Sequence, residues 1–234
     1  MVLTTTFTHT PCNTLVTGIL PVSSQTTTNG IRYTWTVADN PNITGELNST
    51  GKGQLLGTAI VQTLNNTSNT AQKVTYRITP HSIDKNDNNA CPFNFIDIDV
   101  WVEPTVVITA VNDTICNNTA TSIMPVSNQT TTRGIRYTWT VVDNPNITGE
   151  GNSVGKGQLL GTAIFQTLTN TSNSPQKVTY TITPHAIDNN DNNACPFGSI
   201  NIDVWVEPTP RIFPVPISSI QCDNTTTNIL LQSP

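Results

Sequence analysis

The segment GIRYTWTVADNPNITGE, beginning at Gly30, returns as GIRYTWTVVDNPNITGE from Gly134, an offset of 104 residues that runs without a gap from Cys12/Cys116 through Thr105/Thr209. Of the 76 aligned positions between Gly30 and Thr105, only 13 differ, so one fold must be encoded twice. A period near 100 is too long for a solenoid unit of roughly 20–50 residues and matches one autonomous domain. A third copy opens around Cys222, where SSIQCDNTTTNILLQS echoes NDTICNNTATSIMPVS around Cys116. The chain therefore reads as beads at 1–104 and 105–209, followed by the start of a third at 210–234.

A domain near 100 residues buries roughly 60–70% of the surface its unfolded chain exposes, enough for a core in each bead. Only 11% of the residues are Asp, Glu, Lys or Arg, with a net charge of −5 and a pI of about 4.9. That balance repels a phosphate backbone or an anionic lipid surface, which excludes nucleic acid as a partner class. Thr and Asn carry the polarity instead, in runs such as QTTTN, LNNTSN and DNNDNN. Met1 is followed by VLTTTFTHT, without the charged and apolar regions of a secretory signal, and no run reaches the ~18 apolar residues of a membrane span. Any export signal and anchor are expected outside this segment. Asn-x-Ser/Thr triplets are frequent and are read as a by-product of composition.

The five cysteines sort into an early kind, Cys12, Cys116 and Cys222, and a late kind, Cys91 and Cys195. Pairing within beads gives Cys12–Cys91 and Cys116–Cys195. Pairing between neighbours gives Cys91–Cys116 and Cys195–Cys222. The first is favoured, because closing a loop of about 80 residues removes roughly 4–5 kcal/mol of unfolded-chain entropy and stiffens each bead by itself. Either scheme places the chain in an oxidising compartment. No CxxC occurs, and His81 and His185 stand too far from the late cysteines for zinc-ligand spacing.

The local pattern is β throughout. In RYTWTV, Tyr33, Trp35 and Val37 alternate with Arg32, Thr34 and Thr36, the period of a half-buried strand. KVTYRITP repeats it through Val74, Tyr76 and Ile78. IDIDVWVEP sets Ile96, Ile98, Val100 and Val102 inward, with Asp97, Asp99 and Glu103 outward. Gly, Pro and Asn clusters separate such runs, and no helical period is sustained. About seven strands per bead, with an early Trp and a late Tyr inside, predict an all-β chain of tandem immunoglobulin-like β-sandwiches arranged head to tail.

The order ICNNT, YTWTVVDNPNITGE, a Gly-rich stretch, QTLTNTSNSPQKVTYTITPHA, a cysteine and INIDVWVEPTP resembles the PKD-like repeats of very large cell-surface adhesins in gliding Bacteroidota. Gln166-Thr167-Leu168, Thr179-Tyr180-Thr181-Ile182-Thr183-Pro184 and Val204-Trp205-Val206-Glu207-Pro208 carry the resemblance. It implies a non-catalytic stalk or adhesive segment on the bacterial surface. Its implied partners are neighbouring repeats, an external surface or polysaccharide, and the gliding and secretion machinery. The PHSIDKNDNNACP and PHAIDNNDNNACP stretches depart from the resembled pattern, where a short Gly-rich turn is commoner.

Those stretches offer the only candidate metal ligands, Asp84 and Asp87 with Asp188 and Asp191. Their oxygen chemistry suits Ca²⁺, but no central Gly or closing Glu completes a calcium loop, so a solvated turn is preferred and no cofactor is expected. His81 and His185 read as strand-end residues without a nucleophile to serve. Asp97 and Asp99 form a carboxylate pair in one bead only, because Asn201 replaces the first, which argues against an acid–base dyad. GKGQLLG lacks the order of a phosphate loop and reads as a turn. Trp101 and Trp205 fall on the polar face of the last strand, beside Pro104 and Pro208. They read as buttresses against a stiff linker and the next bead, with sugar stacking as the competing role. A carbohydrate-binding module array is thus the alternative to a stalk.

Overall fold

The computed structural model describes residues 4–6, 12–14, 16–214 and 231–232. The predicted third copy around Cys222 lies largely outside these residues. The first bead contains β1 (Thr4–Thr6), β2 (Leu20–Val22), β3 (Ile31–Val37), β4 (Ile43–Thr44), β5 (Gln54–Leu55), β6 (Asn65–Asn66), β7 (Gln72–Ile83), β8 (Asn89–Pro92) and β9 (Ile96–Val102). The second contains β10 (Asp113–Ile115), β11 (Thr119–Ala120), β12 (Ile135–Val141), β13 (Ile147–Thr148), β14 (Gln158–Leu159), β15 (Thr167–Asn170), β16 (Gln176–Ile187), β17 (Asn193–Pro196) and β18 (Ile200–Val206). A short pair, β19 (Phe213–Pro214) with β20 (Leu231–Gln232), follows.

In each bead the long strand, β7 or β16, is the spine of the larger sheet. β7 pairs antiparallel with β3 on one side and with β9 and then β8 on the other, and β16 does the same with β12, β18 and β17. The opposing layer is sparse: β4 with β6 plus bridges at Val16/Thr63 and Ile19/Ile60 in the first bead, and β11, β15 and β13 in the second. The alternation read from sequence sets what lies between the layers. Tyr33 and Trp35 on β3 and Val74, Tyr76 and Ile78 on β7 share one core with Ile19, Ile43, Ile60 and Leu64. Their counterparts form a second, separate core. Burial of each such side chain contributes about 1.5–3 kcal/mol, so each bead holds itself together.

The polar tips of the core aromatics are all satisfied. Tyr33 donates its hydroxyl to the Thr58 carbonyl, with the Gln54 side-chain amide 2.9 Å from the same phenolic oxygen, and burial pushes its phenol up to about 12. Trp35 Nε1–H donates to the Leu47 carbonyl at 2.8 Å, and Trp139 Nε1–H to the Gly151 carbonyl at 2.9 Å. The acceptor is backbone in both, which is why Leu47 and Gly151 can interchange between beads. Gly53 is the residue that the GKG turn requires. It sits at φ 75°, and a Cβ there would lie 2.1 Å from the Tyr33 carbonyl oxygen, a collision with backbone.

Two expectations shift in detail. His81 is not at a strand end, because β7 continues through Pro80 to Ile83. The imidazole is half-buried, sits 3.0 Å from Thr34 Oγ1 across the sheet, and is held below its usual pKa by desolvation. Glu103, assigned outward by alternation, is buried, for a reason that lies in the neighbouring bead.

Candidate functional site

The spine strand gives each bead two distinct ends. At the exit end, Gln72 on β7 pairs with Val102 on β9. Asn66 locks this end: its Nδ2 donates to the Val102 carbonyl at 2.9 Å and the Thr70 carbonyl at 2.8 Å, and its N–H donates to Asn13 Oδ1 at 2.7 Å. Asn13 in turn donates to Thr105 Oγ1 at 2.7 Å, so the residue after the early cysteine is tied to the start of the linker. At the entry end, Ile83 N–H donates to the Gly30 carbonyl at 3.1 Å, and the β7–β8 hairpin carries the late cysteine. About ten residues of strand separate the two ends, roughly 30 Å at about 3.3 Å per residue.

That separation decides the disulfides. Bridged cysteines have Cα atoms less than about 7 Å apart, so an early and a late cysteine at opposite ends of one bead cannot meet. The structure bonds Cys12 to Cys195, with Cα atoms 5.3 Å apart and a sequence separation of 183. Neither expected within-bead pair, Cys12–Cys91 or Cys116–Cys195, forms, nor does the neighbour pair Cys91–Cys116. Among the described residues Cys91 and Cys116 are free and exposed. The early cysteine at the exit end of the first bead meets the late cysteine at the entry end of the second. Cys222, the partner in the remaining expected pair, lies outside the described residues.

The same joint holds further contacts. Thr130 N–H donates to the Asn69 carbonyl at 2.8 Å, Ala71 N–H donates to the Thr130 carbonyl at 3.0 Å, and Thr70 and Thr130 form a parallel bridge. Gln129 Nε2 donates to Asn69 Oδ1 at 3.2 Å. Glu103, only 2% exposed, receives the Thr132 N–H at 3.0 Å on Oε2 and the Thr132 hydroxyl on Oε1. Burial raises the Glu103 pKa, and the two donations from Thr132 hold it back. Pro104 is buried, and Val106 and Ile108 already belong to the second core, so the linker is a packed part of the joint.

The predicted interdomain tryptophans take no part in it. Trp101 is 42% exposed and Trp205 43%, so the arrival of the second bead covers none of the Trp101 indole beyond what its counterpart shows. On this strand it is Glu103, two positions further on, that reaches the second bead, and its signal in sequence was only its place beside Pro104.

The Asp loops are turns with engaged carboxylates. Asp84 Oδ1 accepts the N–H groups of Asn86 at 2.9 Å and Asn88 at 2.7 Å, and these bonds hold its pKa below the usual range. Asp87, at φ 63°, pairs with Arg32 at 2.7 Å and Lys52 at 3.4 Å. Asp188 and Asp191 repeat this arrangement with Asn190, Asn192, Arg136 and Lys156. Among the described residues no cluster of three or more His, Cys, Asp or Glu side chains is arranged to hold a metal. Asp97 is paired with Arg77 at 2.9 Å and Asp99 with Lys73 at 2.9 Å, which makes both strand partners rather than a dyad. No helix is long and apolar enough to cross a membrane, again among the described residues.

Two near-identical β-sandwiches docked end to end define a tandem-repeat protein. A PKD-like domain family model matches residues 12–105 and again 113–210, and the chain belongs to that family. No curated protein sequence matches it. Among solved structures it is similar to Drosophila N-cadherin EC1-4, at 11% identity and a TM-score of 0.30, covering 88% of this chain and 50% of that one. It is also similar to the human desmocollin-1 ectodomain, at 7% identity and a TM-score of 0.31, covering 97% of this chain and 44% of that one. The chain thus spans about half the length of these structures.

Proposed function

We propose that this chain is a non-catalytic stalk segment of a large extracellular adhesin, in which PKD-like beads docked end to end hold an adhesive region away from the cell. The observation that carries the reading is the joint itself: a buried carboxylate, backbone hydrogen bonds and a disulfide fix one bead on the next. Two beads with separate cores and one fixed joint suit a spacer. The disulfide and the Thr- and Asn-rich surface favour an oxidising, exported setting. The sequence resemblance to repeats of gliding Bacteroidota, with the gliding-motility adhesin SprB as the individual protein it resembles, supports surface attachment and gliding as the setting. Its partners there would be the neighbouring repeats, the external surface or polysaccharide, and the gliding and secretion machinery. Small-angle scattering of the oxidised protein tests the stalk. An elongated two-bead particle at low protein concentration is the expected result, and a collapsed particle with the beads side by side would overturn it.

A second reading rests on Trp101 and Trp205, whose exposed indoles recur at the same place in both beads. An array of carbohydrate-binding modules would use them as stacking platforms. Titration with bacterial and plant polysaccharides, read by Trp fluorescence and repeated on the Trp101→Ala, Trp205→Ala double variant, separates the two. Binding lost in the variant favours the array, and absence of binding leaves the stalk.

A further inference from the structure

The two cysteines left unbonded among the described residues, Cys91 and Cys116, stand at the two ends that the joint does not use. At the exit end of the second bead an open cleft of about 510 Å³ is lined by Cys116, Asn117, Asn173, Glu207 and Thr209. By the offset of 104 these are the counterparts of Cys12, Asn13, Asn69, Glu103 and Thr105, the residues that seat the second bead on the first. The local scaffold of the seat is already formed. Asn117 Nδ2 donates to Thr209 Oγ1 at 2.8 Å and to the Asn170 carbonyl at 3.0 Å, while Asn170 Nδ2 donates to the Val206 carbonyl at 2.9 Å. What differs is coverage: Glu207 is exposed where Glu103 is buried, and Cys116 is a free thiol where Cys12 is bonded. At the entry end of the first bead the relation is mirrored, since Cys91 is exposed while Cys195 is 5% exposed.

We propose that the Cys116–Asn173–Glu207 face is a docking seat for the entry end of a further bead of this kind, closed by a disulfide from Cys116 to that bead's late cysteine. The occupant is the first bead of a second copy of this chain, whose Cys91 is the late cysteine left free. This deepens the stalk reading and rests on it. The docked joint supplies the geometry: Asn173 would receive the backbone N–H of Thr26, Glu207 the N–H and hydroxyl of Thr28, and Cys116 the sulfur of Cys91. One contact is lost, because Pro175 replaces Ala71 and has no N–H to give. The seat therefore relies more on Glu207 and on the disulfide. Closure is a two-electron oxidation, with an external disulfide as oxidant. The Cys116 thiolate attacks oxidised glutathione and releases one glutathione thiolate. The Cys91 thiolate of the second copy then attacks the Cys116 sulfur of that mixed disulfide and releases the other, so two thiols become one disulfide and two reduced glutathiones form.

The test is incubation of the oxidised full chain in a glutathione redox buffer over a range of protein concentrations, followed by non-reducing electrophoresis and peptide mapping. Concentration-dependent oligomers joined by Cys91–Cys116, with Cys12–Cys195 intact in every copy, are the expected result. Glu207→Arg should lower the yield of that linkage by roughly tenfold, the loss of one charge-assisted contact. Because Glu207 is exposed, the variant folds, and its retained Cys12–Cys195 bond serves as the internal check. Glutathione adducts only, statistical mixtures that include Cys91–Cys91 and Cys116–Cys116, or a Cys116–Cys222 bond within one chain would each overturn the seat. In all of those cases an intact Cys12–Cys195 joint leaves the stalk reading standing, whereas its absence would remove both.

Discussion

The exit ends of the two beads are almost the same sequence in two different situations. In the first, Glu103 is buried against Thr132, Pro104 is covered and Cys12 is bonded. In the second, Glu207 is exposed, Pro208 is half-covered and Cys116 is free. The residues do not explain the difference, since the scaffold of Asn66 and Asn13 recurs in Asn170 and Asn117 bond for bond. What separates them is whether a neighbour is seated. In the first bead that end carries the next bead, and in the second the same scaffold is formed with Glu207 and Cys116 uncovered.

The largest effect should come from the disulfide. Cys195→Ser should destabilise the chain by about 5 kcal/mol, the chain-entropy value for a closed loop of 183 residues, whereas Cys91→Ser and Cys116→Ser should leave the unfolding midpoint in guanidinium unchanged. Equal effects from the bonded and free cysteines would break the comparison. Next come the buried amides. Asn66→Ala and Asn170→Ala each strand the last carbonyl of their sheet, and each should cost about 1–3 kcal/mol by thermal denaturation, with the same cost in both beads because the scaffold does not depend on docking.

Glu103→Arg should then open the joint, visible as faster hydrogen exchange at Thr130 and Thr132, while Glu207→Arg should leave exchange within the monomer unaltered. The pH dependence sharpens the same point. The Glu103 pKa is raised in the folded protein, so its contribution to stability is largest at low pH, where the carboxyl is protonated in both states. That contribution is lost as pH rises through the folded-state value. Protection at the joint, with the intrinsic base-catalysed exchange rate divided out, should therefore increase in the wild type as pH falls from neutrality through the folded-state value, and this increase should vanish in Glu103→Gln. The smallest effect is expected where the beads differ most visibly. Arg77, Phe95 and Asp97 form an exposed cluster in the first bead, with the guanidinium 4.0 Å from the Phe95 ring centroid. In the second bead Thr181, Ser199 and Asn201 replace them together, with Thr181 donating to Asn201 at 2.9 Å. Swapping the three as a set should not shift the melting temperature measurably, since exposed ion pairs contribute little.

The layers and the inward faces of the strands were readable in advance because side-chain alternation is local. Val74, Tyr76 and Ile78, and the outward Asp97 and Asp99, lie where period two put them. The disulfide and Glu103 were not readable, and for one reason. Sequence spacing records how far apart residues are along the chain but not which end of a sandwich each occupies, so an early and a late cysteine in one repeat looked like natural partners. Likewise Glu103 alternates outward by pattern, and only the neighbouring bead turns outward into buried. Trp101 misled in the opposite direction: its place beside the linker suggested a contact that Glu103 makes instead.

The bond from Cys12 to Cys195 also changes how the chain would respond to being pulled from its ends. Tension entering at residue 12 crosses directly to residue 195 and bypasses everything between, so neither sandwich lies wholly on the mechanical path. The bypassed stretch, a sequence separation of 183, would lengthen the chain by roughly 600 Å if it could be drawn straight, at about 3.3–3.6 Å per residue. With the sulfur bridge intact that slack is withheld. The segment behaves as an inextensible link while oxidised, and a reductant would convert it into a long elastic tether.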